Sequence, residues 1–364
     1  MGKIITVFNN KGGVGKTTLV HNIGYIMANR GKKVLLVDAD PKMNLTAAVT
    51  GISEFFSSVI GEDNVDAQIL NKYPDLSDFF ELAVQNKEGT LKFMPLRKTV
   101  FNNNGAIDLL LSNSLLEMEF FLSSLVVNKV NSLTCSTLFE IRRAIRELKD
   151  KYDYIFLDTP PIGSSMINAV LFFSSDYYMI PVKADFLSSQ VIDGIANIIW
   201  NWKMYLLPWF RKLGMQDGFE SPIFLGVVPQ MIKKIGVGAD KNAIHKHWNT
   251  IINVRTMNFL RDYLSLAAHL AEFSRNNHFV EYSDVGGMEN LFKSLFPDSD
   301  PFIICECSYI SDTIRDFAER AALPVVSLNN EICKEVGEDD LLQETLSACK
   351  AEYDYIAEGL LRLP

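Results

Sequence analysis

Between Asn9 and Thr18 the chain reads "NNKGGVGKTT". Gly12, Gly13, Val14 and Gly15 let the backbone turn its N–H groups inward around an anion, and the positive end of a following helix strengthens the attraction. Lys16 offers a cation to the outer phosphates of a nucleotide. The adjacent Thr17 offers a hydroxyl oxygen to a magnesium ion. This is phosphate chemistry with a specific spacing. Two features depart from the general pattern: an asparagine stands where the first glycine is usual, and a second lysine, Lys11, sits early in the loop.

A magnesium nucleotide site also calls for carboxylates at strand ends. "LLVDADP" ends one β-rich run with Asp38 and Asp40, and alternate residues of an extended chain face the same side. "YIFLDTPP" ends another with Asp158. Either place alone also reads as a turn or cap. Beside the glycine loop they read as a set that holds magnesium and positions water.

The elements that must carry these residues are legible as apolar runs: Lys3–Phe8, Lys32–Asp38, Tyr152–Asp158, Asp176–Val182, Pro222–Val228, Phe302–Ser308 and Pro324–Leu328. Most are near-continuous rather than alternating, as strands buried on both faces are. Helical patterns lie between them, including Lys16–Asn29 closed by Gly31, and Ser136–Lys151 behind a serine N-cap. The expected fold is α/β: a doubly wound, mostly parallel sheet, read as one domain over residues 1–364. Helical insertions are expected near 51–92 and 255–299, the second with a glycine–glycine break at Gly286.

Composition agrees with a globular chain: 364 residues, 48% hydrophobic and 22% charged. The net charge of -9 argues against a uniformly basic nucleic-acid binder but leaves room for a local patch. No run approaches a membrane span, and the first residues lack a signal-peptide layout, so a cytoplasmic protein is expected, with nucleoid association open. The five scattered cysteines do not read as a disulfide framework, and Cys305 and Cys307 read as buried strand residues.

"KGGVGKTT", "VLLVDADPKMNLT" and "YDYIFLDTPPIGSSMINAVLFFSSDYYMIPVKADF" resemble the ParA/MinD ATPases, the deviant Walker A group that includes partition ATPases. The likeness runs from Lys3 to about Ile198 and resumes weakly at "FLGVVPQM" and "LPVVSL". The early lysine is that family's signature. The resemblance implies ATP and Mg²⁺ as ligands and a homodimer formed on ATP, with Lys11 reaching the other subunit's nucleotide. It implies that Thr18 contacts the α-phosphate, that Asp40 positions the attacking water, that Asp38 supports the magnesium shell, and that Asp158 is the Walker B acid. Thr159, Pro160 and Pro161 match the second switch. Gln230 and Met231 fall where the family often holds the base. Lys42 replaces the glutamine usual in partition proteins, and "SDTIRDFAERAALP" shows no counterpart to the family's later proline-containing loop on the adenine side.

The resemblance leaves three functions open. A DNA- or cargo-positioning ATPase, slow and stimulated by a partner protein, would use a basic patch. Lys233 to Arg261 holds six Lys or Arg against one acid, and Lys233, Lys234, Lys241 and Lys246 are the candidate DNA contacts. A solvated helix face reads equally well. A MinD-like membrane regulator fits less well, because Glu335 to Pro364 carries eight acids and two Lys or Arg. A metal-cluster or electron carrier would need interface cysteines, and only Cys135 lies outside the C-terminal third.

Overall fold

The apolar runs around the glycine loop assemble into one sheet. The computed structural model describes residues 1–51, 75–85, 95–101, 103–112, 132–161, 165–212, 221–232, 239–273, 285–328 and 340–364. In order, the elements are β1 (Lys3–Val7), α1 (Lys16–Asn29), β2 (Lys33–Asp38), α2 (Asn44–Thr50), α3 (Leu76–Val84), β3 (Leu96–Val100), β4 (Ala106–Leu110), α4 (Ser132–Glu147), β5 (Tyr154–Asp158), α5 (Met166–Ser174), β6 (Tyr177–Lys183), α6 (Phe186–Lys212), β7 (Ile223–Gln230), α7 (Ala239–Phe273), α8 (Val285–Leu295), α9 (Asp312–Arg320) and α10 (Asp340–Leu361).

The sheet order is β3-β4-β2-β5-β1-β6-β7. Six strands run parallel, and β3 is antiparallel to β4 at the edge. The expected doubly wound architecture is present. From β1 the chain winds first toward β2 and β4, later toward β6 and β7, so the winding reverses at β1. A crevice opens at such a reversal, outside the carboxyl ends of the strands. Register places the acids there: Val7 and Asp38 both pair with Asp158. Helix α1 packs against α10, whereas α4 packs on α5 and α6, and α6 on α7.

Ile4, Ile5, Val7, Leu36, Ile155, Phe156, Leu157 and Ile180 are all buried, which is why their runs do not alternate. An aromatic cluster anchors the base of the glycine loop. Phe172 of α5 lies 4.9 Å from Tyr178, 5.7 Å from Trp202 and 6.0 Å from Phe8, the residue that follows β1.

The structure corrects several element expectations. Phe302–Ser308 runs beside β7 but makes only isolated bridges, Val227 to Ile303 and Ile232 to Ser308. Pro229 of β7 has no N–H to donate, and Phe302 (φ 61°) and Gly226 (φ 140°) leave the extended region, so a regular ladder cannot run through. Pro324–Leu328 holds a 3-10 turn at Val325–Ser327 rather than a strand. Helix α4 begins at Ser132, so Ser136 lies inside it and is not its N-cap. Strand β4 escaped the sequence reading because Asp108 interrupts its apolar run. That buried carboxylate accepts a hydrogen bond from the Tyr152 hydroxyl at 2.8 Å.

In the two regions read as insertions, α3 begins with a reciprocal cap between Asp75 and Asp78. The remainder of 51–92 falls largely outside the described residues. Helix α7 runs unbroken through residue 255, and Gly286 and Gly287 lie in the first turn of α8, with residues 274–284 before it outside the described residues.

Replacing Phe172 with alanine removes the centre of the aromatic cluster and is expected to cost about 3–5 kcal/mol of folding free energy. Denaturant unfolding checks this, and a loss below about 1 kcal/mol would contradict the cluster's role as an anchor.

Candidate nucleotide site

Phe8 to Gly15 connects β1 to α1. Gly13 (φ 70°) and Gly15 (φ 87°) take the left-handed conformation that opens the loop, and Gly15 precedes the first residue of α1. A side chain at Gly15 would also meet Gln230, whose Oε1 would lie 3.0 Å from the added carbon. The loop is pinned from below by Asn9, whose amide donates to the Pro181 carbonyl (2.7 Å) and whose Oδ1 accepts the Lys11 N–H (2.8 Å).

The two lysines take different environments. Lys16 is buried, and its ammonium donates to the carbonyls of Asn9 and Lys11, each at 3.0 Å. Burial lowers its pKa, opposed by the nearby Asp158 and Asp40. Lys11 is partly exposed. Its ammonium donates to Ser188 Oγ (2.7 Å) and pairs with Asp185 (3.3 Å) at the start of α6. Burial works to raise the Asp185 pKa, but hydrogen bonds from Ser188 and the Lys11 charge bring it below the usual carboxylate value.

Asp38 and Asp158 sit side by side at the ends of β2 and β5, both fully buried. Burial raises both pKa values, and for Asp158 the neighbouring Asp38 charge adds to the rise. Their hydrogen bonding differs. Asp158 Oδ2 accepts from the Thr17 hydroxyl at 2.7 Å, while its Oδ1, shut off from solvent, has no partner. Both Asp38 oxygens are engaged: Oδ2 accepts from the N–H and the hydroxyl of Thr46, both at 2.7 Å, and Oδ1 accepts the Asp40 N–H at 3.1 Å. Asp40 is also buried and shapes its own turn, its Oδ1 accepting the Lys42 N–H at 3.0 Å.

The Thr17 hydroxyl and the open Asp158 oxygen fit a hard divalent cation of the magnesium type, which prefers oxygen ligands and keeps phosphate and water in its shell. Among the described residues no group of three or more His, Cys, Asp or Glu gathers as an all-protein cage. Phosphate oxygens would therefore belong in that shell.

A cavity of about 260 Å³ opens over the loop. Gly12, Gly13, Val14, Gly15, Lys16, Thr17, Thr18, Asp40 and Met231 line it, all singled out from sequence. Gln230 backs the loop behind Gly15, and its Oε1 accepts from the Tyr353 hydroxyl at 3.3 Å. Thr159, which the family resemblance matches to a second switch, donates to the Val7 carbonyl at 2.8 Å. Lys233 and Lys234 lie outside the described residues, and for Lys241 and Lys246 only the backbone of α7 is described.

Sequence reasoning missed the far wall. The segment that showed no adenine-side counterpart supplies Arg315, Ala318, Glu319, Leu323 and Pro324 to the same cavity, and Val325 just after it joins them. It is tied to α1 by the Val326 N–H, which donates to Asn22 Oδ1 at 3.0 Å. The only signal was amphipathic spacing, with Ile314 and Ala318 buried on one side of α9.

Comparison with known proteins decides the family. A profile described as an AAA domain matches residues 2–207, more than half of the chain. Sporulation initiation inhibitor protein Soj of Bacillus subtilis is 30% identical over 200 residues, 55% of this chain and 65% of Soj. Chromosome partitioning protein ParA of Myxococcus xanthus is 28% identical over 200 residues, 55% of this chain and 58% of that protein. The chain belongs to the ParA/MinD family of P-loop ATPases. The match spans less than two thirds of the length of these curated relatives. Two solved structures share the fold of this ParA/MinD family member. ParA of pNOB8 bound to nonspecific DNA aligns with a TM-score of 0.51 at 18% identity, over 100% of both chains. A variant of Cyanothece McdA in complex with ATP aligns with a TM-score of 0.53 at 16% identity, over 99% of this chain and 96% of that one.

Gly15→Ala would place a side chain in the left-handed region, at a cost of about 1–2 kcal/mol, and against Gln230. Nucleotide affinity measured by titration is expected to fall about tenfold. Unchanged affinity would mean that nucleotide does not bind over this loop.

Proposed function

We propose that the protein is a ParA-type switch ATPase, which binds ATP with Mg²⁺, pairs with a second copy of itself, and positions DNA or another cargo until slow hydrolysis releases the pair. The observation that carries this reading is the convergence of Lys16, Thr17 and Asp40 on one cavity at the strand-order reversal, with the open oxygen of Asp158 behind Thr17.

The loop N–H groups and Lys16 would hold the phosphates, and Thr17 and Asp158 would hold the cation. Magnesium supplies charge neutralisation on the phosphate oxygens. Asp40, which lines the same cavity, would orient a water molecule for attack.

Lys11 supports the self-association half of the proposal. In the single chain it is parked on Asp185 and Ser188 through a half-exposed pair. Such pairs contribute only about 0–1 kcal/mol, so the lysine is free to exchange onto phosphates of a second subunit. That contact would be charge-assisted and would make the nucleotide part of the interface. A protein that stimulates hydrolysis is the expected partner. Among the described residues no helix is long and apolar enough to cross a membrane.

Phosphate release tests the chemistry. The wild type is expected to turn over slowly. Lys16→Ala should lose nucleotide binding, whereas Asp40→Ala should keep it and lose hydrolysis. An Asp40→Ala protein that hydrolyses ATP at the wild-type rate would contradict the assignment of Asp40.

A mobility shift tests DNA as cargo. Asp40→Ala with ATP at low salt should retain duplex DNA of any sequence, and retention should fall steeply with salt. Changing Lys233, Lys234, Lys241 and Lys246 to glutamate should abolish it. No retention at low salt would assign the cargo to protein instead.

A further inference from the structure

We infer that Thr46 is a positioning residue for Asp40, acting through the carboxylate of Asp38; the inference rests on the ATPase reading above. Helix α2 begins without a cap of its own, since Met43 at its N-cap makes no side-chain hydrogen bond. The cap comes from the sheet. Asp38, at the end of β2, accepts both the N–H and the hydroxyl of Thr46, the third residue of α2. The same carboxylate accepts the Asp40 N–H with its other oxygen. The segment from Ala39 to Leu45 is thereby closed at both ends on one buried side chain, and it carries Asp40.

Two further contacts and one backbone conformation make this closure rigid. The Met43 N–H donates to the Asp40 carbonyl at 2.8 Å. Met43 itself is held at φ 56°, an uncommon conformation for a residue with a side chain, which persists only where its surroundings enforce it. The Thr46 hydroxyl, while donating to Asp38, also accepts the Ser112 N–H at 3.4 Å and so ties α2 to the end of β4. Thr46 and Asp38 are both shut off from water, so no solvent molecule can replace the hydroxyl if it is removed.

Asp38 spends every oxygen on this segment, whereas Asp158 keeps one open. The neighbouring acids therefore divide the work, with Asp158 facing a cation and Asp38 holding the turn that aims Asp40. Asn44, Ala47 and Ala48 of the same helix line the cavity, so a shift of α2 also moves its wall.

The test compares Thr46→Val, which keeps the side-chain shape and the N–H but loses the hydroxyl, with Thr46→Ser, which restores it. Hydrolysis under single turnover and ATP affinity are measured separately, beside the wild type. The expected result for Thr46→Val is a rate about 10- to 100-fold lower, the scale of a misplaced reacting group, with ATP affinity within about threefold. Thr46→Ser should recover most of the rate. An active wild type with an equally active Thr46→Val would overturn the inference alone. Rate and affinity falling together without rescue by serine would also overturn it, in favour of a purely structural cap. A wild type that binds ATP and never hydrolyses it would overturn the ATPase reading and this inference together.

Discussion

Two carboxylates lie side by side at the ends of adjacent strands, fully buried, and the site is arranged around that constraint. Buried charge is costly unless paired or hydrogen-bonded. Register fixes Asp38 opposite Asp158, so neither strand can move away without breaking the sheet. The surroundings answer with three donors to Asp38, one to Asp158 from Thr17, and the buried Lys16 ammonium close enough to act on the Asp158 charge. One carboxylate oxygen is left unanswered. A divalent cation beside Thr17 would answer that deficit, and metal binding would then be tied to the electrostatics of the fold.

The same arrangement explains how the two ends of the cavity are joined. The glycine loop rises from β1, the Asp40 turn from β2 and the Asp158 end from β5, three strands that are neighbours in the sheet. The opposite wall comes from α9 and the following 3-10 turn, held to α1 by Asn22. Helix α2 lies between them, in contact with both α1 and α9. Nucleotide in this cavity would touch the glycine loop, the Asp40 turn, α2 and α9. Lys11 does not line the cavity and reaches instead toward Asp185 and Ser188 at the start of α6.

Much of this was legible in the sequence, for identifiable reasons. Parallel strands buried on both faces leave unbroken apolar runs, so β1, β2, β5, β6 and β7 were found within two residues at each end. Loop chemistry is local, so spacing brought Gly12 to Thr17 into one site, and the family resemblance added Thr18. The failures come from contacts distant in sequence. Asp108 is a buried acid satisfied by Tyr152, so β4 looked too polar for a strand. Phe302–Ser308 carries a strand pattern, but its neighbour's Pro229 breaks the ladder. Arg315 and Pro324 reach the cavity because Val326 bonds to a residue more than three hundred positions earlier. No pattern within "SDTIRDFAERAALP" encodes that. The partner of Asp38 was hidden for the same reason: Thr46 looked like one polar residue in a short helix.

Solution mass by light scattering, on the wild type without nucleotide, with Mg-ADP and with Mg-ATP, tests most directly whether the site is a switch. The account predicts a single chain in the first two states and a doubling of mass with Mg-ATP alone, reversed as ATP is hydrolysed. A protein shown by titration to be saturated with Mg-ATP, and still of single-chain mass at micromolar concentration, would contradict it.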